Sequence, residues 1–332
     1  MRRVDAHDVP LSRRAFGLGA VTSLVTLSHP AWAFGAEPTR TLWLRGVGAS
    51  VPHPIYLAWA DRFGPELGIK LGYVPLGSGT GLRAARNREA DFGGSDIAMP
   101  RVELERADLE QVPIVAAALG FAVHLPGIDV GRLRLRRDDV RAIFEGEIRV
   151  WSDARLRAGN PGLALPDLAI TPVVRRDVSG SSRLAAAWLA GQRSNAQAKD
   201  TPFTATPGLA VFGAHGVAQT VRRLRGSIGY LEFSTARLFG LEMLDLELAD
   251  GGFSTWQPDH GATAHEWPLL TRTRILIPRA AALAERSNAV ARFFRHCLLH
   301  GGELAISAGF VPLPAPVRAA SLAQLERVLG RG

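Results

Sequence analysis

The sequence predicts an α/β fold in two lobes, each a mixed sheet flanked by helices, and three observations predict it. Strand-like and helix-like segments alternate along most of the chain, joined by turns rich in glycine and hydroxyl residues. At 332 residues the chain exceeds the size at which one hydrophobic core usually keeps growing. No repeat or low-complexity linker divides it, so a second lobe inserted between two parts of the first accounts for the length. The composition, 47% hydrophobic and 21% charged, is that of a globular chain.

The first segment reads as an address. In "LSRRAFGLGAVTSLVTLSHPAWA" the twin arginines Arg13 and Arg14 precede an apolar stretch from Phe16 to Leu27, and "AWA" closes at Ala33. Basic, apolar and small-residue regions in that order form an export signal, and Ser-Arg-Arg-x-Phe resembles a Tat signal. About a dozen apolar residues are too few to span a bilayer. Residues 1–33 are therefore expected to be removed near Ala33, leaving a soluble periplasmic protein without a lipid anchor, since the signal holds no cysteine.

From there "TLWLRG" alternates like a strand, and "HPIYLAWADRFG" spaces Ile55, Trp59 and Phe63 along one helix face. "IKLGYVP" is a short strand entering a glycine-rich turn, "LRAARN" restarts a helix, and "DFGGSDIAMP" is a strand edge and turn. The apolar run "VPIVAAALGFAVHLP" reads as buried strands, within which the chain crosses into the second lobe. "RDDVRAIFEGEI" follows as a helix, "AGNPGLALP" as a turn and "AITPVVRR" as a strand. "GSIGYLEFSTA" is a strand entering a helix, and "QPDHGATAHEWP" is a polar loop. "LLTRTRILIP" returns as a buried strand before the helices "NAVARFFRHCLLH" and "GELAISAG". The expected boundaries are 38–118 with 270–332 for lobe I and 119–269 for lobe II. Trp59, Trp188 and Phe233 are expected in the core.

Charge and cysteine usage narrow the function. The formal net charge of +8 rests almost wholly on arginine, since only Lys70 and Lys199 are lysines. The arginines are scattered, with knots at Arg134 to Arg137 and Arg222 to Arg225 that read as solvated faces, so no nucleic-acid partner is expected. The single Cys297 excludes an intramolecular disulfide and a cysteine-based zinc cluster, and it reads as a buried, inert thiol. No metal or cofactor is expected. His260 and His265 read as solvated; His296 and His300, four apart on a helix but without acidic partners, read as packing or surface.

Three turns could carry chemistry: "GVGASVP" (Gly46 to Pro52), "LGSGTGL" (Leu76 to Leu82) and "VSGSSR" (Val178 to Arg183). Each follows a strand and precedes a helix, where unpaired backbone N–H groups and the positive end of the helix dipole suit an oxyanion. Small residues allow close approach and serine hydroxyls add donors. One such turn is ordinary N-cap chemistry; three of one kind converge. "GSGTGL" lacks the Gly-Lys-Ser/Thr ending of a P-loop and the spacing of a dinucleotide fingerprint. A Gly-x-Ser-x-Gly elbow is absent. Read by itself, "VVRRDVSGSS" stays open between an anion cage, a serine nucleophile at Ser179 or Ser181, and a solvated loop.

The chain strongly resembles the periplasmic phosphate-binding proteins of ABC transporters, the PstS type. "GVGASVPHPIYLAWADRF" is similar to that family's opening motif, and "YVPLGSGTG" and "ADFGGSDIAM" to its second and third binding segments. "IFEGEIRVWSD" with "NPGLALP" resembles its middle region, "VVRRDVSGSS" its Arg-x-Asp-Gly-Ser-Gly-Thr motif, and "GSIGYLEF" and "FVPLP" its later segments. The resemblance spans nearly the whole mature chain in the family's order. It implies a type II periplasmic-binding-protein fold with the ligand in the interlobe cleft, no covalent chemistry, delivery to permease subunits at the inner membrane, and a monomer. Carried over position by position, it implies phosphate contacts from Ser50, Val51, Ser78, Asp96, Arg175, Ser179, Gly180 and Ser181. Ser50 and Ser181 stand for threonines and keep the hydroxyl. Val51 stands for a phenylalanine at a position that contributes its backbone N–H. Val178 replaces a glycine, so a positive φ there would be strained. His53 replaces a small residue, narrowing the cleft or making affinity pH-dependent.

Chemistry gives those residues distinct tasks. Arg175 offers a planar fork of donors to two oxyanion oxygens, with Asp177 to orient it. Asp96 faces the ligand as an acceptor, which a dianion satisfies only by carrying a proton. Monohydrogen phosphate carries one and sulfate at neutral pH does not, so sulfate would leave a buried charge unpaired and be rejected by roughly 10⁴. Two alternatives are a binder of another oxyanion, phosphonate or organic phosphate, and a serine-dependent phosphatase or hydrolase.

Overall fold

The leading strand forms where the alternation predicts it. In the computed structural model, which describes residues 41–191, 208–248, 250–254, 256 and 267–330, β1 (Leu42–Gly48) pairs in parallel with β2 (Ile69–Pro75) and β3 (Phe92–Ser95). Parallel neighbours need crossovers, supplied here by α1 (His53–Leu67) and α2 (Ser78–Asn87). α1 turns Ile55, Tyr56, Trp59 and Phe63 inward, as their spacing requires. The buried Trp59 indole N–H donates to the Gly301 carbonyl at 3.1 Å, so no donor is orphaned. The expected export segment and the loop holding His260 and His265 lie outside the described residues.

The apolar run expected to hold several strands is one strand, β4 (Leu109–Val123), after the short α3 (Arg101–Arg106). Buried along nearly all its length, it reads as a continuous run rather than an alternation. Residues 109–118 pair antiparallel with β10 (Leu270–Pro278), and residues 119–123 pair antiparallel with β7 (Ser227–Glu232). One strand thus links two half-sheets. On the far side β5 (Thr171–Arg175) lies between β7 and β6 (Leu209–Val211), parallel to both, giving the order β2-β1-β3-β10-β4-β7-β5-β6, while β8 (Leu246–Glu247) and β9 (Phe253–Ser254) pair antiparallel in a separate two-stranded sheet.

Helices cover both half-sheets. α4 (Arg137–Glu145), α5 (Ala154–Gly159), α6 (Gly180–Leu189), α7 (Gly213–Arg223) and α8 (Phe233–Phe239) accompany the second half. α9 (Ala284–His300), α10 (Gly302–Ser307) and α11 (Ala315–Leu329) follow β10. Two main hydrophobic cores result. One gathers Leu44, Tyr56, Trp59, Phe92, Ile275, Phe293, Phe294 and Phe310; the other gathers Phe121, Phe144, Trp151, Trp188, Tyr230 and Trp267. Phe233 packs against the second. Each fully buried aromatic of this kind contributes about 1.5–3 kcal/mol by leaving water. Cys297 is buried in the first core, and burial pushes its thiol well above the ordinary value. Among the described residues no helix is long and apolar enough to cross a membrane.

Candidate functional site

The ends of parallel strands gather the three glycine and serine turns. Ser50 and Val51 follow β1, Ser78 opens the helix after β2, and Asp96 follows β3; Arg175 ends β5, and Ser179 caps α6. Polar groups leaving the carboxyl ends of parallel strands converge on one rim, the usual place for a ligand in such sheets. The rims of the two half-sheets touch. The Gly79 N–H donates to the Val178 carbonyl at 3.3 Å, and a Cβ built on Gly180 would fall 2.3 Å from the Asp96 Cβ.

Asp96 is enclosed, with 3% of its surface exposed. Its backbone N–H donates to the Ser78 hydroxyl at 3.1 Å, and the Ser78 hydroxyl lies 3.5 Å from Oδ2. Oδ1 accepts from the Thr273 hydroxyl at 2.6 Å, and the Asp96 carbonyl accepts from Arg274 at 3.3 Å. Burial raises the carboxyl; the Thr273 bond opposes this, the Glu232 charge adds to it, and Arg175 and Arg274 offset part, leaving it at about 7. The β10 register shifts between Thr273 and Arg274, a bulge that re-aims neighbouring side chains toward the Asp96 segment.

Arg175 is buried, at 2% exposure, and its fork grips Asp177: Nε donates to Oδ1 at 3.1 Å and Nη2 donates to Oδ2. Asp177 Oδ1 also accepts from the Gly213 N–H at 2.9 Å. Burial pushes Asp177 up, but the guanidinium outweighs it and holds the carboxyl below its ordinary value. The pairing orients the arginine and uses two of its five N–H donors, leaving three for a ligand. A Cβ at Gly77, whose φ is +91°, would come within 2.6 Å of Asp177 Oδ2, so the second turn must be glycine for the arginine clamp to close beside it.

Ser179 is the N-cap of α6, its hydroxyl accepting from the Ser182 N–H at 3.4 Å, and Gly180 and Ser181 are the first two helical residues. The Ser181 hydroxyl donates to Glu232 Oε1 at 2.6 Å. The Ser50 hydroxyl is buried and has no hydrogen-bond partner among the described residues, an uncommon condition for a polar group shut away from water. The Val51 side chain packs in the first core and leaves only backbone to the rim. Positive φ among the described non-glycine residues is confined to Arg88 and Asp108, so the strain anticipated at Val178 does not arise.

His53 packs between a β2 aromatic and α7. Its ring stacks on Tyr73, centroids 6.2 Å apart, and meets His215 of α7 edge-on at 6.3 Å. Burial, then His215, lower its pKa. Thr273, Arg274, Glu232 and His215 are absent from the sequence-based set. Only Glu232 left a mark, as a charge in the apolar strand "GSIGYLEF". His296 does have an acidic partner, while it still packs against Phe63 on the helix surface. Its Nε2 lies 2.9 Å from Glu66 Oε1, in a groove lined also by Arg62, His300 and Glu303, on the α1 and α9 surface. A residue missed because its partner lies 230 positions away leaves no spacing to read.

The Gly180 contact makes a prediction. Gly180→Ala would drive a methyl group into the Asp96 Cβ, and overpacking of this kind costs about 1–3 kcal/mol. Titration calorimetry is expected to show affinity for the cage's anion reduced by about tenfold or more, with secondary structure intact by circular dichroism; undiminished affinity would mean the two rims stand apart in the bound form.

The chain has relatives. The PBP superfamily domain profile matches residues 33–265. Phosphate-binding protein PstS of Xylella fastidiosa is 30% identical over 309 residues, covering 84% of this chain and 84% of that protein. Phosphate-binding protein PstS of Haemophilus influenzae is 30% identical, covering 82% of this chain and 90% of its own. Among solved structures, a phosphate-binding protein from Stenotrophomonas maltophilia superposes with a TM-score of 0.61 at 20% identity, covering 84% of this chain and 93% of that one. A high-affinity periplasmic phosphate-binding protein with bound phosphate gives 0.62 at 18% identity, covering 85% and 93%. At these identities the structures speak for the fold alone, and it is the α/β fold expected.

Proposed function

This chain belongs to the PBP superfamily and, within it, to the PstS-type phosphate-binding proteins, and from that membership we propose that it captures monohydrogen phosphate for an ABC importer. The observation that carries the reading is Asp96, a buried carboxylate packed against the first turn of α6 and flanked by the buried Arg175. Helix N-termini and a guanidinium attract an oxyanion, and a carboxylate among them accepts only an oxygen that bears a proton. Ser50, Val51, Ser78, Arg175, Ser179, Gly180 and Ser181 complete the cage in this reading. The unpartnered Ser50 hydroxyl supports it.

Lobe I is then 38–118 with 270–332 and lobe II 119–269, a division supported by the two hydrophobic cores, which meet at residues 115–118 of β4. The lobes close on phosphate like a hinge. The protein acts in the periplasm as a monomer after export, presents its ligand to permease subunits, and forms no covalent intermediate. Commitment of the Ser179 hydroxyl to capping and of Ser181 to Glu232 favours binding over nucleophilic attack.

A thermal-shift panel tests this. A ligand at about a thousand times its Kd adds roughly 4 kcal/mol to stability, so phosphate is expected to raise Tm by several degrees while sulfate and a chromogenic phosphate ester do not, the ester remaining unhydrolysed. Equal stabilisation by sulfate would remove phosphate as the ligand.

A further inference from the structure

Two histidines bridge the half-sheets. His53 is the first residue of α1, between β1 and β2, and His215 lies in the first turn of α7, between β6 and β7. Both are half-buried, and their rings meet edge to face with centroids 6.3 Å apart and planes at 68°. Each ring is also held from behind: His53 stacks on Tyr73 at 6.2 Å, and His215 packs on Phe239 at 5.4 Å. The half-sheets also touch where Gly79 meets Val178 and where Gly180 lies against the Asp96 Cβ. The pair stands one step outside the cage on both sides. The His53 N–H donates to the Ser50 carbonyl at 3.3 Å, and the Gly213 N–H, two residues before His215, donates to Asp177, the carboxylate that orients Arg175.

Both positions oppose a proton. Histidine is the side chain whose charge most readily changes near neutral pH, and the positive end of a helix dipole disfavours an imidazolium in a first turn. Burial, then the neighbouring His215, already lower the pKa of His53. The charged and titratable groups on the elements packed around the pair are Tyr56 of α1, Tyr73 of β2, Asp96 in the cage, Arg175 and Asp177 behind α7, Arg176 over Phe212, and Arg222 over Phe239. Burial keeps the two tyrosines neutral. Both carboxylates are already committed, Asp96 to Thr273 and Asp177 to Arg175 and the Gly213 N–H. Two imidazolium rings would therefore repel across the contact.

We propose that His53 and His215 are positioning residues that latch the two half-sheets over the cage while both rings are neutral, and that their protonation in acid loosens the latch and speeds phosphate release. Neutral rings attract edge to face. Opening separates them and lets each take a proton without repulsion, so falling pH favours the open cleft. The latch is complete above the ordinary histidine value and is lost as pH falls through the lowered one. This inference rests on the phosphate reading and gives roles to two residues outside the ligand's contact set.

Calorimetric titration with inorganic phosphate, run from about pH 7.5 down to about pH 5, compares the wild type with His215→Phe, which keeps a ring against His53 and Phe239 and takes no proton. Phosphate and Asp96 titrate in both proteins, so the ratio of wild-type to variant Kd isolates the pair. That ratio is expected near one at about pH 7.5 and to rise to about tenfold at pH 5, the difference lying in the dissociation rate. His215→Ala removes the contact and is expected to bind phosphate a few fold more weakly than wild type at about pH 7.5. Should His215→Phe fail to fold, His215→Asn, also unable to take a proton, is expected to show the same rise of the ratio in acid. A ratio that stays flat across the range overturns the switch, and a His215→Ala affinity equal to wild type overturns the latch; both leave phosphate binding intact. No phosphate binding by the wild type at any pH overturns the phosphate reading as well.

Discussion

Arg175→Ala is expected to lower phosphate affinity by about 2–5 kcal/mol, from tens to thousands of fold in Kd. Removing the guanidinium takes away the charge-assisted donors and also strands Asp177, whose side chain is only 7% exposed and keeps backbone N–H donors such as that of Gly213 but no countercharge from Arg175. Part of the loss therefore reflects a weakened empty protein. Arg175→Lys separates the two, because a lysine restores the charge without the planar fork. Calorimetry should place it between wild type and alanine, with Tm recovered more fully than affinity. An alanine variant that keeps its affinity within a few fold would take the guanidinium off the ligand.

Asp96→Asn is expected to act in opposite directions on stability and selectivity. The rise of the carboxyl from 3.8 to about 7 means the folded, empty protein holds this proton more tightly than the unfolded chain. Stability from this group is full below the unfolded value, falls as pH rises toward 7, and at pH 8 the ionised carboxylate is worth a penalty of roughly 4 kcal/mol. Asparagine cannot ionise, so the empty variant should melt higher than wild type at pH 8 and differ little at pH 4. The same change gives the cage an amide that can donate to a bare oxygen. The preference for phosphate over sulfate, roughly 10⁴ by the argument from an unpaired buried acceptor, should shrink by about a hundredfold or more. A variant as selective as wild type would mean that Asp96 does not read the ligand's proton.

Both expectations draw on residues that local chemistry makes conspicuous. Three strand-to-helix turns with glycine and serine, two adjacent arginines before an aspartate, and an aspartate after Gly-Gly-Ser are patterns of a few residues. Their meaning is set by backbone geometry that a short stretch determines for itself. The helix faces of α1 and α9 are legible for the same reason. The single long β4 is not, because a strand covered on both faces has no alternation to mark where it changes neighbours. α7 and α11 passed unread between stronger signals.

By itself the sequence determined the α/β class and the three glycine- and hydroxyl-rich turns between strand and helix, since each depends on periodicity or on the conformational range of neighbouring residues. Only the tertiary structure decided who faces whom across the chain: Thr273 on Asp96, Glu232 on Ser181, His215 on His53. Those pairings set protonation and polarity in the cage, and they depend on which strands lie side by side, a choice made by burial of the whole sheet and not by any one segment of it.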